Sequence, residues 1–389
     1  MRRISFFLCC AVLLGACSRL GNETLPSTAP AATAAQPEFG YGYHIIYAFS
    51  GSDGAYPVGN LLVFKGELYS TTQGGGANND GTVFAMKTDG GEQVRHSFTG
   101  AEGDKPSAGL VQYYNLLYST TNGGGSSNAG TIFVMDHSGN LQTLHQFGRG
   151  NDGQHPKSRL LPLGGKLYGT TNFGGTEGSG TVYSLTPAGQ EHVIHSFGFP
   201  LYGTKPDASL IHVGDKLYGV TQTGGAYHGG TVFSMTTSGS LHVLHSFGRN
   251  SDGKQPTTAA LLYFESNLYG TTCQGGGKGA GVAFWISLTG RYKILHHFGY
   301  AKDGGCPSAG LIALRGAFYG TTAYGGSRGF GVVFKMTRSG LEQVLHSFLG
   351  EDRDGTFPEA GLTPYQGYLY GTASFGGSAG MGIVFRILP

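Results

Sequence analysis

Histidine recurs at a near-constant interval, at His96, His145, His195, His245, His296 and His346, with Tyr47 in a seventh equivalent place. Such a series invites a metal reading, because imidazole is a common ligand for zinc and its relatives. A second series is acidic. Asp53, Asp152, Asp252, Asp303 and Asp354 each precede a glycine in a loop, with Glu102 and Tyr202 in the corresponding places. One carboxylate per loop is thin for calcium, which takes about 6–8 oxygens, and no EF-hand spacing occurs. A turn accounts for these loops: Asp accepts a local backbone bond, Gly supplies a positive φ, and a following Pro sets the entry to the next segment. Recurrent Gly-Gly pairs lack both the Walker spacing and a following helix, so they do not read as phosphate loops. No nucleophile elbow or zinc-protease motif is present. These patterns assign no catalytic residue, metal or cofactor.

The elements that carry these residues repeat. Leu-Tyr-Gly-Thr-Thr and its variants place Tyr at 69, 118, 168, 218, 269, 319 and 370, in steps of 49, 50, 50, 51, 50 and 51 residues. A Gly-Gly pair follows each time, as at Gly74-Gly75 and Gly376-Gly377, and then Gly-Thr-Val-Phe or a relative. Next comes Val-Leu-His-Ser-Phe or a variant, ending at Phe49, Phe98, Phe147, Phe197, Phe247, Phe298 and Phe348. Last is a loop ending in Pro and a short run such as Ala309-Gly310-Leu311-Ile312. These short segments are rich in β-branched and aromatic residues and bounded by Gly, Asp, Ser or Pro, which is a strand signature. Their near-continuous apolar character suits sheets covered on both faces. Four strands per unit and seven units predict a seven-bladed β-propeller. The chain opens with a lone fourth-type strand, His44 to Phe49, and ends with the other three types. Pairing the two completes the seventh blade and removes an exposed edge.

In such a ring the Pro-Ala-Gly-Leu segment is expected to be the innermost strand and the histidine strand the outermost. Four strands at about 4.8 Å spacing put the outer strand roughly 18–20 Å from the axis, and equivalent histidines roughly 15–17 Å apart. Zinc needs ligands at about 2.0 Å, so the histidines cannot share an ion. They are read as structural, bonded to strand Thr or Ser groups of their own blade. Positions near the axis can converge. The residues flanking the small one after each Pro vary between copies, and they include Lys157, Arg159, Asp207 and Glu359. These four form the candidate ligand-binding mouth. Cys273 opens a Gly-Gly loop and Cys306 precedes Pro307. The ring puts both on one face at adjacent blades, as a disulfide or as two separate thiols; export favours the first.

On Leu-Tyr-Gly-Thr-Thr, Gly-Gly, Gly-Thr-Val-Phe and Leu-His-Ser-Phe, over residues 44–388, the chain resembles the GloVer tandem-repeat family of exported, anchored bacterial proteins. That resemblance implies export, anchoring and a propeller, and no defined activity. The period and the Gly pair are also similar to kelch repeats, but the regular Trp of kelch is missing, since Trp285 stands alone.

The N-terminus reads as an export signal: Arg2 and Arg3, then an apolar stretch from Phe6 to Leu14 too short to span a bilayer. Leu14-Gly15-Ala16-Cys17 resembles the bacterial lipobox, which implies cleavage after residue 16 and lipidation of Cys17. Ser18 in place of Asp favours the outer membrane, facing the periplasm or the cell surface. Residues 17–42 read as a flexible tether, rich in Pro, Ala, Thr and Ser, and residues 43–389 as the propeller. The formal net charge is +2 with only 12% charged residues, which lacks the basic footprint of a nucleic-acid binder. The expected protein is a monomeric binding or scaffolding module that contacts a glycan, peptide or protein through its loop face. The alternative is a hydrolase or lyase acting on an exported sugar or lactone.

Overall fold

The computed structural model describes residues 42–389 except 199, 257–259, 300, 301 and 351–353. The expected signal peptide, Cys17 and the tether up to residue 41 lie outside the described residues. Seven four-stranded antiparallel sheets follow one another along the chain. Blade 1 consists of Leu62–Phe64, Glu67–Gly74, Thr82–Met86 and Glu92–Ser97. Blades 2 to 6 repeat this order, from Val111–Tyr113 in blade 2 to Glu342–Ser347 in blade 6. Blade 7 takes Thr363–Tyr365, Tyr368–Ala373 and Ile383–Ile387 from the C-terminus and His44–Ala48 from the N-terminus. The split blade expected from the order of segments is therefore present, and the fold is a seven-bladed β-propeller.

One element differs from expectation. The innermost strand begins just after the Pro-Ala-Gly-Leu segment, as at Val111–Tyr113, and the segment itself is not a strand. Its carbonyls are used between blades instead. Thr71 donates to the Ala108 carbonyl at 3.1 Å, and Thr170 to that of Ala208 at 3.1 Å. The second threonine of the motif bonds within its blade, as Thr72 Oγ1 does to Thr82 Oγ1 at 2.8 Å. The Thr-Thr pair thus stitches one strand in two directions.

Each blade interface holds its own apolar cluster. Between blades 4 and 5, Val232 and Phe247 pack with Leu261, Leu268, Val282 and Phe284, all nearly or fully buried. The glycine of Leu-Tyr-Gly makes room for this core: a Cβ on Gly219 would stand 2.7 Å from the Phe233 ring and 2.9 Å from Leu210. An unpaired bulge residue precedes each histidine or its Tyr47 counterpart. Thr143 pairs with Phe133 and His145 with Ile132, so Leu144 is extra. The bulged carbonyl presses on the next blade's hairpin, where a Cβ on Gly189 would lie 2.6 Å from Leu144 O. A bulge re-aims the side chain beside it, and here it turns the histidine toward the loop that follows.

Candidate functional site: the axial mouth and the blade junctions

The Asp-Gly…Pro loops and the Gly-Gly loops lie on one face, held by pairs such as Ala55 with Gly74 and Gly153 with Gly174. Here the residue before each Pro adopts a left-handed backbone in all seven copies: Tyr56, Lys105, His155, Lys205, Gln255, Cys306 and Phe357, with φ between 51° and 59°. A non-glycine residue there costs about 1–2 kcal/mol. An inter-blade hydrogen bond offsets the cost, because each of these N–H groups donates to the preceding blade's Gly-Gly loop at 2.7–3.2 Å, as His155 does to Ala129 O at 2.7 Å. The ring presents seven side chains from one strained frame. The sequence reading missed it, although seven variable residues before a constant Pro were a usable signal.

Inside the ring is a mouth of about 320 Å³ lined by Gln73, Gln222, Gln255, Ser107, Ser308, Lys157 and Glu359, with the two cysteines in its wall. The Ser308 hydroxyl is buried and has no hydrogen-bond partner among the described residues. Deeper, a channel cavity of about 460 Å³ shares Lys157, Ser107, Ser308 and Glu359 and adds Asn60, Arg159 and Ser209. Val58, Ser107, Lys157, Ser308 and Glu359, each the first residue after its Pro, line both cavities, whereas Asn60, Arg159 and Ser209, each the third, line only the channel. Of the four charged residues expected at the mouth, Lys157 and Glu359 line it, and Arg159 sits below. Asp207 is buried behind the wall, with 2% of its surface exposed.

Electrostatics couple these groups. Burial pushes the Asp207 carboxyl up to about 6, against the pull of Lys157, its own backbone N–H and Lys205. Glu359 is also raised, by desolvation, against a bond from Ser374 Oγ at 3.3 Å and the charge of Lys157. Water reaches Arg159 inside the channel, yet the surrounding protein desolvates it and lowers its pKa. Lys157 is the cation common to both raised acids. The Cys273 and Cys306 sulfurs are bonded to each other, 33 residues apart in sequence.

The histidines behave differently from expectation. Four bond acidic loop residues rather than strand Thr or Ser: His145 to Asp152 at 2.9 Å, His245 to Asp252 at 2.8 Å, His346 to Asp354 at 2.6 Å and His96 to Glu102 at 3.1 Å; His296 bonds the Gly340 carbonyl at 3.2 Å. The bulge supplies the direction. The next blade then adds the residue that begins or immediately precedes its own outer strand. At the closing junction that residue is Tyr43, which stacks on His346 at 3.6 Å and donates to Asp354. At the blade 4–5 junction Tyr292 stacks on His245 at 4.0 Å. Glutamate takes the place in three copies, Glu92, Glu191 and Glu342, and faces the loop carboxylates of Asp53, Asp152 and Asp303. Burial and then that neighbouring charge push each glutamate up to about 7. Equivalent histidines stand too far apart to share an ion, but these junctions bring three unlike residues together.

A sequence profile of the Gloeobacter/Verrucomicrobia repeat matches residues 35–215 and 163–385. No curated protein matches the chain. Among solved structures, the chain is similar to streptogramin B lyase, with a TM-score of 0.56 at 12% identity over 89% of this chain and 97% of that one. It is also similar to a Bacteroides uniformis protein provisionally described as a 6-phosphogluconolactonase, with a TM-score of 0.52 at 14% identity over 79% and 90%. At these identities the likeness is one of fold.

Proposed function

The chain belongs to the Gloeobacter/Verrucomicrobia repeat family, and from that premise we propose a binding propeller, tethered to the bacterial envelope, whose axial mouth takes a small polar ligand of the glycan or peptide class. One observation carries this reading. The mouth is walled by three glutamines, two serines, a lysine and a glutamate at positions where the seven copies differ, on a scaffold whose core positions hardly vary. An amide offers a donor and an acceptor together, which suits paired sugar hydroxyls or a peptide group. The volume sits at the small end of the ligand-pocket range, about 300–1,000 Å³.

The test begins with glycan and peptide arrays and continues with calorimetry on the ligand they identify. Lys157→Ala and Glu359→Gln should each weaken binding by about 1 kcal/mol or more, the order of a lost charged hydrogen bond. Lys87→Ala, on an exposed hairpin, should leave it unchanged. Equal affinity in all three variants would remove the ligand from the mouth.

The tether carries its own prediction. Cys17→Ala should move the protein from the washed membrane fraction to the soluble one, with its melting temperature unchanged. Full membrane retention of that variant would end the lipoprotein reading.

A further inference from the structure

The three carboxylate pairs at the blade junctions form an internal comparison. At the blade 7–1 junction the Tyr47 hydroxyl donates to both carboxylates, to Asp53 closely and to Glu92 at 3.4 Å. At the blade 5–6 junction the Lys278 ammonium bonds Asp303 at 3.2 Å, beside Glu342. The blade 2–3 junction brings Asp152 and Glu191 together with neither device. No lysine, arginine or tyrosine bonds either carboxylate among the described residues; Oε1 of Glu191 is buried without a partner, as is that of Glu92 and of Glu342. His145 bonds Asp152, and the buried Tyr183 hydroxyl lies near both carboxylates without bonding either. One ligand atom from each of His145, Asp152 and Glu191 lies within 4.8 Å of the other two, and the three residues are partly buried, with the His145 side chain 20% and the Asp152 side chain 8% exposed.

We propose that His145, Asp152 and Glu191 form a three-ligand site for a divalent first-row transition ion of the zinc class, at the rim between blades 2 and 3. A doubly charged ion supplies the cation that the other two junctions obtain from Tyr47 and Lys278. It would neutralise two carboxylates that otherwise face each other. One imidazole and two carboxylates are a borderline donor set, which suits zinc and its neighbours and is too poor in oxygen for calcium. Tetrahedral bonds of about 2.0–2.1 Å set ligand atoms roughly 3.3 Å apart, within rotamer adjustment of the observed spacing. Half-burial leaves a coordination position open to solvent. The two strands involved belong to different blades, so the ion would staple the ring at its rim.

The test uses the purified full-length chain, stripped with EDTA and titrated with zinc chloride in a calorimeter. One ion per chain is expected, with a rise in melting temperature. Glu191→Gln should weaken zinc binding at least about tenfold, and His145→Gln should weaken it at least as much. Glu342→Gln, at the junction capped by Lys278, should leave affinity as in the unaltered chain. Metal-free Glu191→Gln should melt no lower than the unaltered metal-free chain, since it removes repulsion without changing shape, and this separates a lost ligand from a lost fold. Absence of zinc binding at millimolar concentration would overturn the proposal. So would an affinity unchanged by Glu191→Gln, which would assign the ion to other histidines.

Discussion

Deletion of residues 1–50 will abolish the cooperative thermal transition, whereas deletion of residues 1–40 will leave the melting temperature where it was. The difference is the strand His44–Ala48 and the two aromatics that flank it. Tyr43 and Phe49 are both 0% exposed. Phe49 packs on Phe84 of blade 1 at 5.1 Å, and Tyr43 packs on Phe348 of blade 6 and Phe385 of blade 7. One short strand therefore ties the last blade to both of its neighbours. Removing a buried aromatic costs about 3–5 kcal/mol, so the pair accounts for roughly 6–10 kcal/mol. That is comparable with the whole stability of a typical domain, about 5–15 kcal/mol. Asp354 would lose the Tyr43 donor as well, and Ile383–Ile387 would become an unpaired edge open to aggregation. Circular dichroism melts of the two truncated proteins check this, and equal midpoints would mean that the ring does not depend on its N-terminal closure.

The blade number, the strand content and the split seventh blade were all legible in the sequence, because they depend on periodicity and segment order alone. The Tyr69 series and the Phe49 series mark positions that touch the same core seven times. What stayed hidden depends on contacts between blades. Ala108 reads as part of a strand by its spacing, yet its carbonyl is claimed by Thr71 of the preceding blade, which leaves the segment irregular. The histidines were assigned strand Thr or Ser partners within their own blade because nothing in Leu-His-Ser-Phe announces a bulge. With Leu144 extruded, His145 turns to Asp152 and meets Glu191, a residue 46 positions further along. A comparison of the seven copies at the position that begins or immediately precedes the outer strand would have found the glutamates. Glu92, Glu191 and Glu342 stand there against Leu141, Leu241, Tyr292 and Tyr43. The same comparison did find Lys157 and Glu359, because a ring axis brings equivalent positions together whatever the partners. Asp207 shows the limit of that logic: it shares the register of Lys157 but sinks behind the wall. Small shifts of backbone at one blade decide burial, and periodicity does not contain them.

The second large effect concerns the Cys273–Cys306 bond. Between blades 2 and 3 the residue after Thr-Thr and the next blade's residue before Pro meet through a weaker contact, His155 Nδ1 bonding the Asn122 carbonyl at 2.8 Å. Only between blades 5 and 6 is that pair covalent among the described residues. Closing a loop of 33 residues restricts the unfolded chain by about 4 kcal/mol in the loop-entropy account. The double variant Cys273→Ala with Cys306→Ala should therefore lose about 4 kcal/mol in denaturant melts. Hydrogen bonds already hold the Cys306 backbone, from its N–H to Ala280 O at 2.8 Å and to its carbonyl from Ala323 at 3.0 Å, so the blade itself should stay folded. Cys306 also sits at φ 51°, where any L side chain is strained. Pairing Cys273→Ala with Cys306→Gly instead removes the same covalent tie and relieves that strain by about 1 kcal/mol. The glycine variant should consequently be the more stable of the two, although both fall below the oxidised protein. Equal stability of the two variants would show that the left-handed ring around the mouth carries no strain at this position, and that Cys306 stands there for its sulfur alone.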